Sequence, residues 1–155
     1  MKKISIASLL SAALLVGTLD IIAACLQFYI KTQKGPAPVL KFIASGVFGK
    51  AAFSSGNSMI FYGLAFHYII ALLFTVFFFF MVSQFPKMLQ RPIITGILFG
   101  AFVWVVMNLL VLPLSNTNKG PIVVSAAITG MLILMVCIGI PLALIAARKI
   151  KKGDV

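Results

Sequence analysis

Four long apolar stretches, separated by short polar segments, dominate the chain and limit the folds open to it. Each is at least as long as the about 20 residues that a helix needs to cross a bilayer, and they cover Ile4–Ile30, Met59–Ser83, Ile93–Ser115 and Pro121–Ala147. Because a backbone in lipid must satisfy its own hydrogen bonds, such stretches form helices. The sequence therefore predicts an all-α integral membrane protein, a four-helix bundle that forms one domain.

The segment Val39–Phe48, between the first two stretches, is too apolar for a plain linker and too short to span. Drawn as a helix, it separates a broad apolar face from a polar one. The apolar face holds Val39, Leu40, Phe42, Ile43, Ala44 and Val47, and the opposite face holds Lys41, Ser45 and Gly49. We expect a short amphipathic helix that either lies in the membrane interface or re-enters between the spans.

Charge is scarce and strongly basic: only 10% of residues are charged, with 13 Lys and Arg against 2 acidic residues. The basic residues stand in short groups between the apolar stretches, a pattern typical of contact with anionic lipid headgroups rather than with nucleic acid. The N-terminus, second loop and C-terminal tail hold eight of them, and the first and third loops hold five. The positive-inside rule then places both termini in the cytoplasm.

Each predicted span carries a polar side chain at a similar depth, roughly 10–15 Å from one face at 1.5 Å rise per residue. These are Asp20, His67, Asn108 and Thr129. Polar or small residues accompany them at helical spacing, which predicts that these faces pack inward. The accompanying residues are Ala13, Gly17, Ala24, Gln27, Gly63, Ala71, Ala101, Trp104, Ser115 and Ser125.

An aspartate inside a membrane span is costly and is usually retained for function. We therefore interpret Asp20 and His67 as a protonatable pair, with Asn108 and Thr129 completing a polar layer that binds or conducts a proton, ion or small polar solute. Gln27 and Ser125 are expected to support it. The alternative for each residue is a hydrogen bond that only fixes helix register.

Other functions stay open at this point. The chain could be a structural or accessory subunit of a larger membrane complex, or an intramembrane enzyme that acts on lipid, and a narrow bundle could need several copies to form a pathway. The sequence contains no recognisable catalytic motif and predicts no cofactor. One histidine, two separated cysteines and one aspartate within the spans make a poor metal-binding set, so no metal site is predicted.

The chain from His67 onward resembles the YagU-like family of bacterial inner-membrane proteins. The resemblance rests on His67–Ala71, Phe85–Lys87, Gly96–Gly100 and Pro113–Leu114. It implies a multi-spanning protein of the bacterial inner membrane, and it implies no substrate, cofactor or catalytic residue.

Overall fold

A computed structural model describes residues 5–118, 120 and 123–151, without the side chains of the last two. Four helices in it are long and apolar enough to cross a membrane, as predicted, and are called here the first to fourth spans. They cover Ile6–Thr32, Ser58–Gln84, Pro92–Leu114 and Val124–Lys149. The ends lie within a few residues of the predicted ones; residues 4, 121 and 122 lie outside the described part.

Three shorter helical segments connect the spans. The helix predicted in the first loop is confirmed at Ala37–Phe48 and is called here the loop helix. A single helical turn follows at Ala51–Ser54, and a 3₁₀ segment occupies the second loop at Pro86–Gln90. The chain is therefore a multi-pass membrane protein with one extra helix between its first two spans.

The spans form a closed ring of neighbours. The first span contacts the second and the fourth, and the fourth contacts the third. The second and third spans meet through aromatic rings, where Phe77 and Phe78 pack against Phe99, with ring centroids 6.4 and 4.7 Å apart.

The two ends of the bundle are held by different contacts. Lys149 donates a hydrogen bond to the Ser8 hydroxyl, which joins the start of the first span to the end of the fourth. The 3₁₀ segment of the second loop also contacts the fourth span there, and we call this the terminal end. At the opposite, loop-helix end, the Asn116 N–H donates to the Gly46 carbonyl at 3.0 Å and joins the third loop to the loop helix.

The hydrophobic core fills mainly the half of the bundle near the terminal end. Its buried members come from all four spans and the second loop, and they are Ala12, Val16, Phe78, Phe79, Val82, Leu89, Phe99, Val103, Ile138, Leu142, Ala143 and Ala146. This half is packed as a protein interior normally is. The loop-helix half is built differently, because cavities lie between its spans.

Small residues set the closest helix contacts. A side-chain Cβ added to Gly96, Gly100 or Gly139 would meet the backbone of the facing span, so the third and fourth spans touch backbone to backbone. Between the first and second spans, a Cβ at Gly17 would lie 3.1 Å from both Tyr68 and Ala71. Such approaches are the usual basis of helix association in lipid, where apolar burial between helices gives little.

Both the third and fourth spans contain a widened π-helical segment just before a proline. The third is widened at Val106–Val111, ahead of Pro113, and the fourth at Met135–Gly139, ahead of Pro141. A proline cannot donate to the carbonyl four residues back, and its ring pushes that carbonyl aside. A π segment accommodates the disturbance, and such segments often border functional sites.

The loop helix packs against the bundle with a face that combines apolar and polar residues. Leu40, Ala44 and Ser45 are buried, whereas Phe42 and Val47 are exposed. Ser45, which the sequence places on the polar face of this helix, therefore lies against the bundle. Its burial costs little because its hydroxyl has partners, the Phe42 carbonyl at 2.7 Å and the Thr117 hydroxyl at 3.1 Å.

The Ser45–Thr117 contact provides a test of how firmly the loop helix is held. Ser45 has a single hydroxyl proton, which it donates to the Phe42 carbonyl, so Thr117 must be the donor to Ser45. Ser45→Ala leaves the buried Thr117 hydroxyl without its acceptor, and we expect a loss of about 1–3 kcal/mol in the free energy of unfolding in detergent. In a double-mutant cycle with Thr117→Val, the two losses should be non-additive by about 1 kcal/mol. Ser54→Ala, at an exposed serine, is the control and should change stability by less than about 0.5 kcal/mol.

Candidate functional site

Two cavities occupy the loop-helix half of the bundle. The main cavity, about 440 Å³, lies between the second and third spans beneath the loop helix and reaches the fourth span at Leu134 and Ile138. The side cavity, about 450 Å³, lies between the first, third and fourth spans. Asp20 and Asn108 line both cavities, so the two predicted polar residues stand where the two spaces adjoin.

His67 is fixed by the first span. Its Nε2 lies 2.8 Å from the carbonyl oxygen of Gly17, and its ring borders the main cavity. A carbonyl oxygen can only accept, so Nε2 carries a hydrogen and donates it. The other ring nitrogen, Nδ1, is left to accept a proton or to hold one, and it is the atom through which this histidine can exchange protons.

Tyr68, the next residue, gives a second link to the first span. Its hydroxyl lies 2.8 Å from the Thr18 hydroxyl, and its ring meets the His67 ring edge to face at 5.6 Å between centroids. Our sequence reasoning missed both Thr18 and Tyr68. The signal was present, because each is a polar residue directly beside a predicted contact residue, Gly17 and His67.

Asp20 is half-buried and lies one turn beyond Gly17 on the first span. Both Asp20 and His67 line the main cavity, and the two side chains interact electrostatically. No direct hydrogen bond or ion pair joins these two described side chains, and the Asp20 carboxylate receives no hydrogen bond from any other described residue. The carboxylate therefore faces open space beside an imidazole.

Asn108 and Gln27 complete the polar walls. The Asn108 amide donates to the Trp104 carbonyl one turn earlier at 3.0 Å, which orients the side chain and leaves its oxygen free to accept within the described part of the protein. Asn108 belongs to the π segment of the third span. Gln27 lines the side cavity, two turns from Asp20 on the same face of the first span.

Thr129 and Ser125 stand apart from this group. Both are exposed on the fourth span, and the Thr129 hydroxyl donates to the Ser125 carbonyl within its own helix at 2.8 Å. Neither residue lines the two cavities. The structure thus brings Asp20, His67 and Asn108 to one cavity and Gln27 to the next, and it leaves the fourth span's hydroxyls outside.

The remaining walls of the main cavity are mostly apolar. Aromatic rings contribute from the loop helix and the second span, and the other side is formed by aliphatic side chains of the third and fourth spans. The aromatic members are Phe42, Phe66 and Phe74. Our sequence reasoning missed these rings as site residues, because phenylalanines are common on every face of a membrane helix.

This arrangement can hold a proton or a cationic group, and it lacks the parts of a transition-metal site. In the described part of the chain, no three His, Cys, Asp or Glu side chains cluster closely enough to hold a metal ion. One carboxylate, one imidazole and one amide oxygen instead border a space much larger than a water molecule. Comparisons with known proteins found no matching family model, no similar curated protein and no similar solved structure.

Proposed function

We propose that this membrane protein binds a proton or a small cationic solute at Asp20 and His67, inside the hollow half of its bundle. One observation carries the proposal: the carboxylate of Asp20 borders both cavities without a hydrogen bond from the described residues. An aspartate near the centre of a membrane helix costs about 2.5–3.5 kcal/mol on insertion scales. A bound proton or cation offsets that cost, and no described residue donates a hydrogen bond to the carboxylate.

The geometry of His67 supports a role for protons. Its Nε2 is committed to the Gly17 carbonyl, which leaves Nδ1 to accept a proton, and His67 lines the same cavity as Asp20. A proton can therefore pass between Asp20 and His67 through a solute bound in the main cavity or through intervening water. An arrangement that only fixed helix register would instead give the Asp20 carboxylate, as well as the His67 ring, a hydrogen-bonding partner.

The main cavity extends toward one end of the bundle only. The main cavity extends from Ser115 and Thr117, at the loop-helix end, to Val103. Val103 lies eleven residues before Leu114, the last residue of the third span. This corresponds to about 16 Å at 1.5 Å per residue. The dense core closes the terminal end, so passage across the membrane requires a second conformation, as in transporters that alternate access.

For cellular location we propose the bacterial inner membrane with both termini in the cytoplasm, and membership of the YagU-like family. The excess of basic residues on the termini and second loop supports this orientation. Lys149 and the second loop lie together at the terminal end, which would then face the anionic headgroups of the cytoplasmic leaflet.

The proposal is tested by proton uptake into liposomes that contain the purified protein. With a potassium diffusion potential as driving force and a trapped pH dye as readout, we expect uptake above that of empty liposomes. Asp20→Asn, which keeps the shape and removes the charge, should reduce the protein-dependent rate by about tenfold or more, since a relay needs a group that exchanges protons. Asp154→Asn makes the same change in net charge at the chain's other acid and is the control.

Labelling with a lipid-soluble carbodiimide separates binding from conduction. The reagent reacts with protonated carboxyl groups in membranes, so we expect an adduct at Asp20, located by mass spectrometry, that is lost in Asp20→Asn. An adduct without uptake would restrict the function to binding. Uptake that is unchanged in a correctly folded Asp20→Asn variant, together with no adduct at Asp20, would rule the site out.

A further inference from the structure

We infer that the main cavity takes a bulky lipophilic monovalent cation, with Asp20 as its counter-ion. The inference rests on the proposed function and names the solute class. It follows from three properties of the cavity: its size, the chemistry of its walls and its charge.

The main cavity is too large for a proton or a metal ion alone. Its volume of about 440 Å³ falls in the range of about 300–1,000 Å³ that is typical of sites for small organic molecules. A single water occupies about 30 Å³ in the liquid. A space of this size with mostly apolar walls matches a compact organic molecule better than a hydrated inorganic ion.

The walls combine apolar surface with aromatic rings. Phe42, Phe66 and Phe74 border the cavity on one side, and Val103 and Ile138 border it on the other. Aromatic faces attract organic cations through the ring quadrupole, most strongly when the cation is shielded from water. An apolar cavity with few polar groups is also the usual form of a site for amphipathic ligands.

The charge of the lining selects the sign and number of charges on the ligand. Asp20 is the only acidic residue of the lining, and no lysine or arginine takes part in it. Because an unpaired charge in a medium of low dielectric is costly, one carboxylate is matched by one positive charge. The carboxylate would repel an anion, and a dication would leave one of its charges unpaired beside a single carboxylate.

The rim of the cavity offers a path from the lipid. Ile69 and Val111 line the main cavity, and both are exposed, at 53% and 37% respectively. They belong to the second and third spans, between which the cavity lies. A lipophilic cation that partitions into the bilayer can therefore reach Asp20 between these spans.

The test uses two ions of the same shape and opposite charge. Binding of radiolabelled tetraphenylphosphonium to the full-length protein in nanodiscs should be saturable, and tetraphenylborate should not compete for it. Asp20→Asn should weaken tetraphenylphosphonium binding by about thirtyfold or more, as expected when one partner of a buried charge pair is removed. Asp154→Asn should leave the affinity unchanged.

A variant of the loop helix separates this inference from the proposed function. Gly46 lines the main cavity, and a Cβ there meets only Thr117 and Ser115, at 3.8 and 3.9 Å, so a side chain can be added without a backbone clash. Gly46→Leu should fill part of the cavity and weaken tetraphenylphosphonium binding by about tenfold, while carbodiimide labelling of Asp20 persists. Gly46→Ala is the milder variant, with a smaller effect in the same direction.

Three results would overturn the inference. Equal binding of the two tetraphenyl ions would indicate simple partition into lipid or occupancy by an acyl chain. Binding that is unchanged in Asp20→Asn would place the ion elsewhere. If tetraphenylphosphonium does not bind saturably but Asp20 still reacts with carbodiimide, the site does not take an organic cation and remains a proton site. If Asp20 is unreactive and there is no proton uptake, the proposed function itself is wrong.

Discussion

Gly139→Ala is expected to destabilise the bundle by about 3 kcal/mol or more, at the upper end of the range for overpacked sites. A Cβ at this position would overlap the carbonyl oxygen of Gly96 and also crowd the backbone N–H of Gly100. These are backbone atoms in the middle of a helix, so no side chain can rotate away to make room. The third and fourth spans would have to separate, which removes the close packing that holds helices together in lipid.

The measurement is the thermal unfolding of the purified protein in mild detergent, followed by circular dichroism. Gly130→Ala is a matched control, because it changes the same residue type in the same span. Its Cβ would lie 3.4 Å from the Trp104 indole nitrogen, a contact that a small side-chain movement relieves. Equal midpoints for the two variants would contradict the backbone contact between these spans.

Gly63→Ala is expected to displace the loop helix from the second span. An added Cβ would overlap the carbonyl oxygen of Leu40, near the start of the loop helix, and again the obstacle is backbone. The loop helix forms part of the lining of the main cavity through Phe42, Ile43, Gly46 and Val47. Its displacement should therefore open the cavity and lower the affinity for a bound cation, in addition to lowering stability by about 1–3 kcal/mol.

Amide hydrogen exchange of Ala37–Phe48 is the direct readout for this variant. We expect exchange there to accelerate by about tenfold or more, because a loss of 1.4 kcal/mol in local stability corresponds to a factor of ten. Exchange in Pro92–Leu114 should change less, since that span does not touch Gly63. Gly35→Ala is the control, because an added Cβ there has no neighbour within 4 Å. Unchanged protection of the loop helix in Gly63→Ala would show that its position does not depend on this contact.

Sequence alone was sufficient for the four spans and the loop helix. Length and hydropathy are local properties, and lipid leaves an apolar segment of this length no alternative to a helix. The inward faces of the first and second spans were also predictable. Ala13, Gly17, Gly63 and Ala71 are all buried, because small residues at helical spacing allow the close approach that association in lipid requires.

The candidate site was only partly predictable. Asp20, His67 and Asn108 do share one cavity, but Thr129 and Ser125, placed in the same layer by depth, lie on the exposed side of the fourth span. Depth follows from counting residues along a helix. The rotation of a helix about its axis cannot be obtained by such counting. A single hydroxyl can donate its hydrogen bond to a carbonyl of its own helix, so it has little influence on which face of the helix turns inward.

The amino-acid sequence by itself determined the four apolar helices long enough to cross a membrane, the loop helix, and the small residues on the inward faces of the first two spans. Only the tertiary structure decided that Ser45 is buried against Thr117, that the third and fourth spans widen before Pro113 and Pro141, and that Asp20 lines a cavity. The physical reason is that hydropathy and residue size act within one helix. The shape of the space between helices depends instead on contacts between residues far apart in the chain. Those contacts form cooperatively when the whole bundle packs.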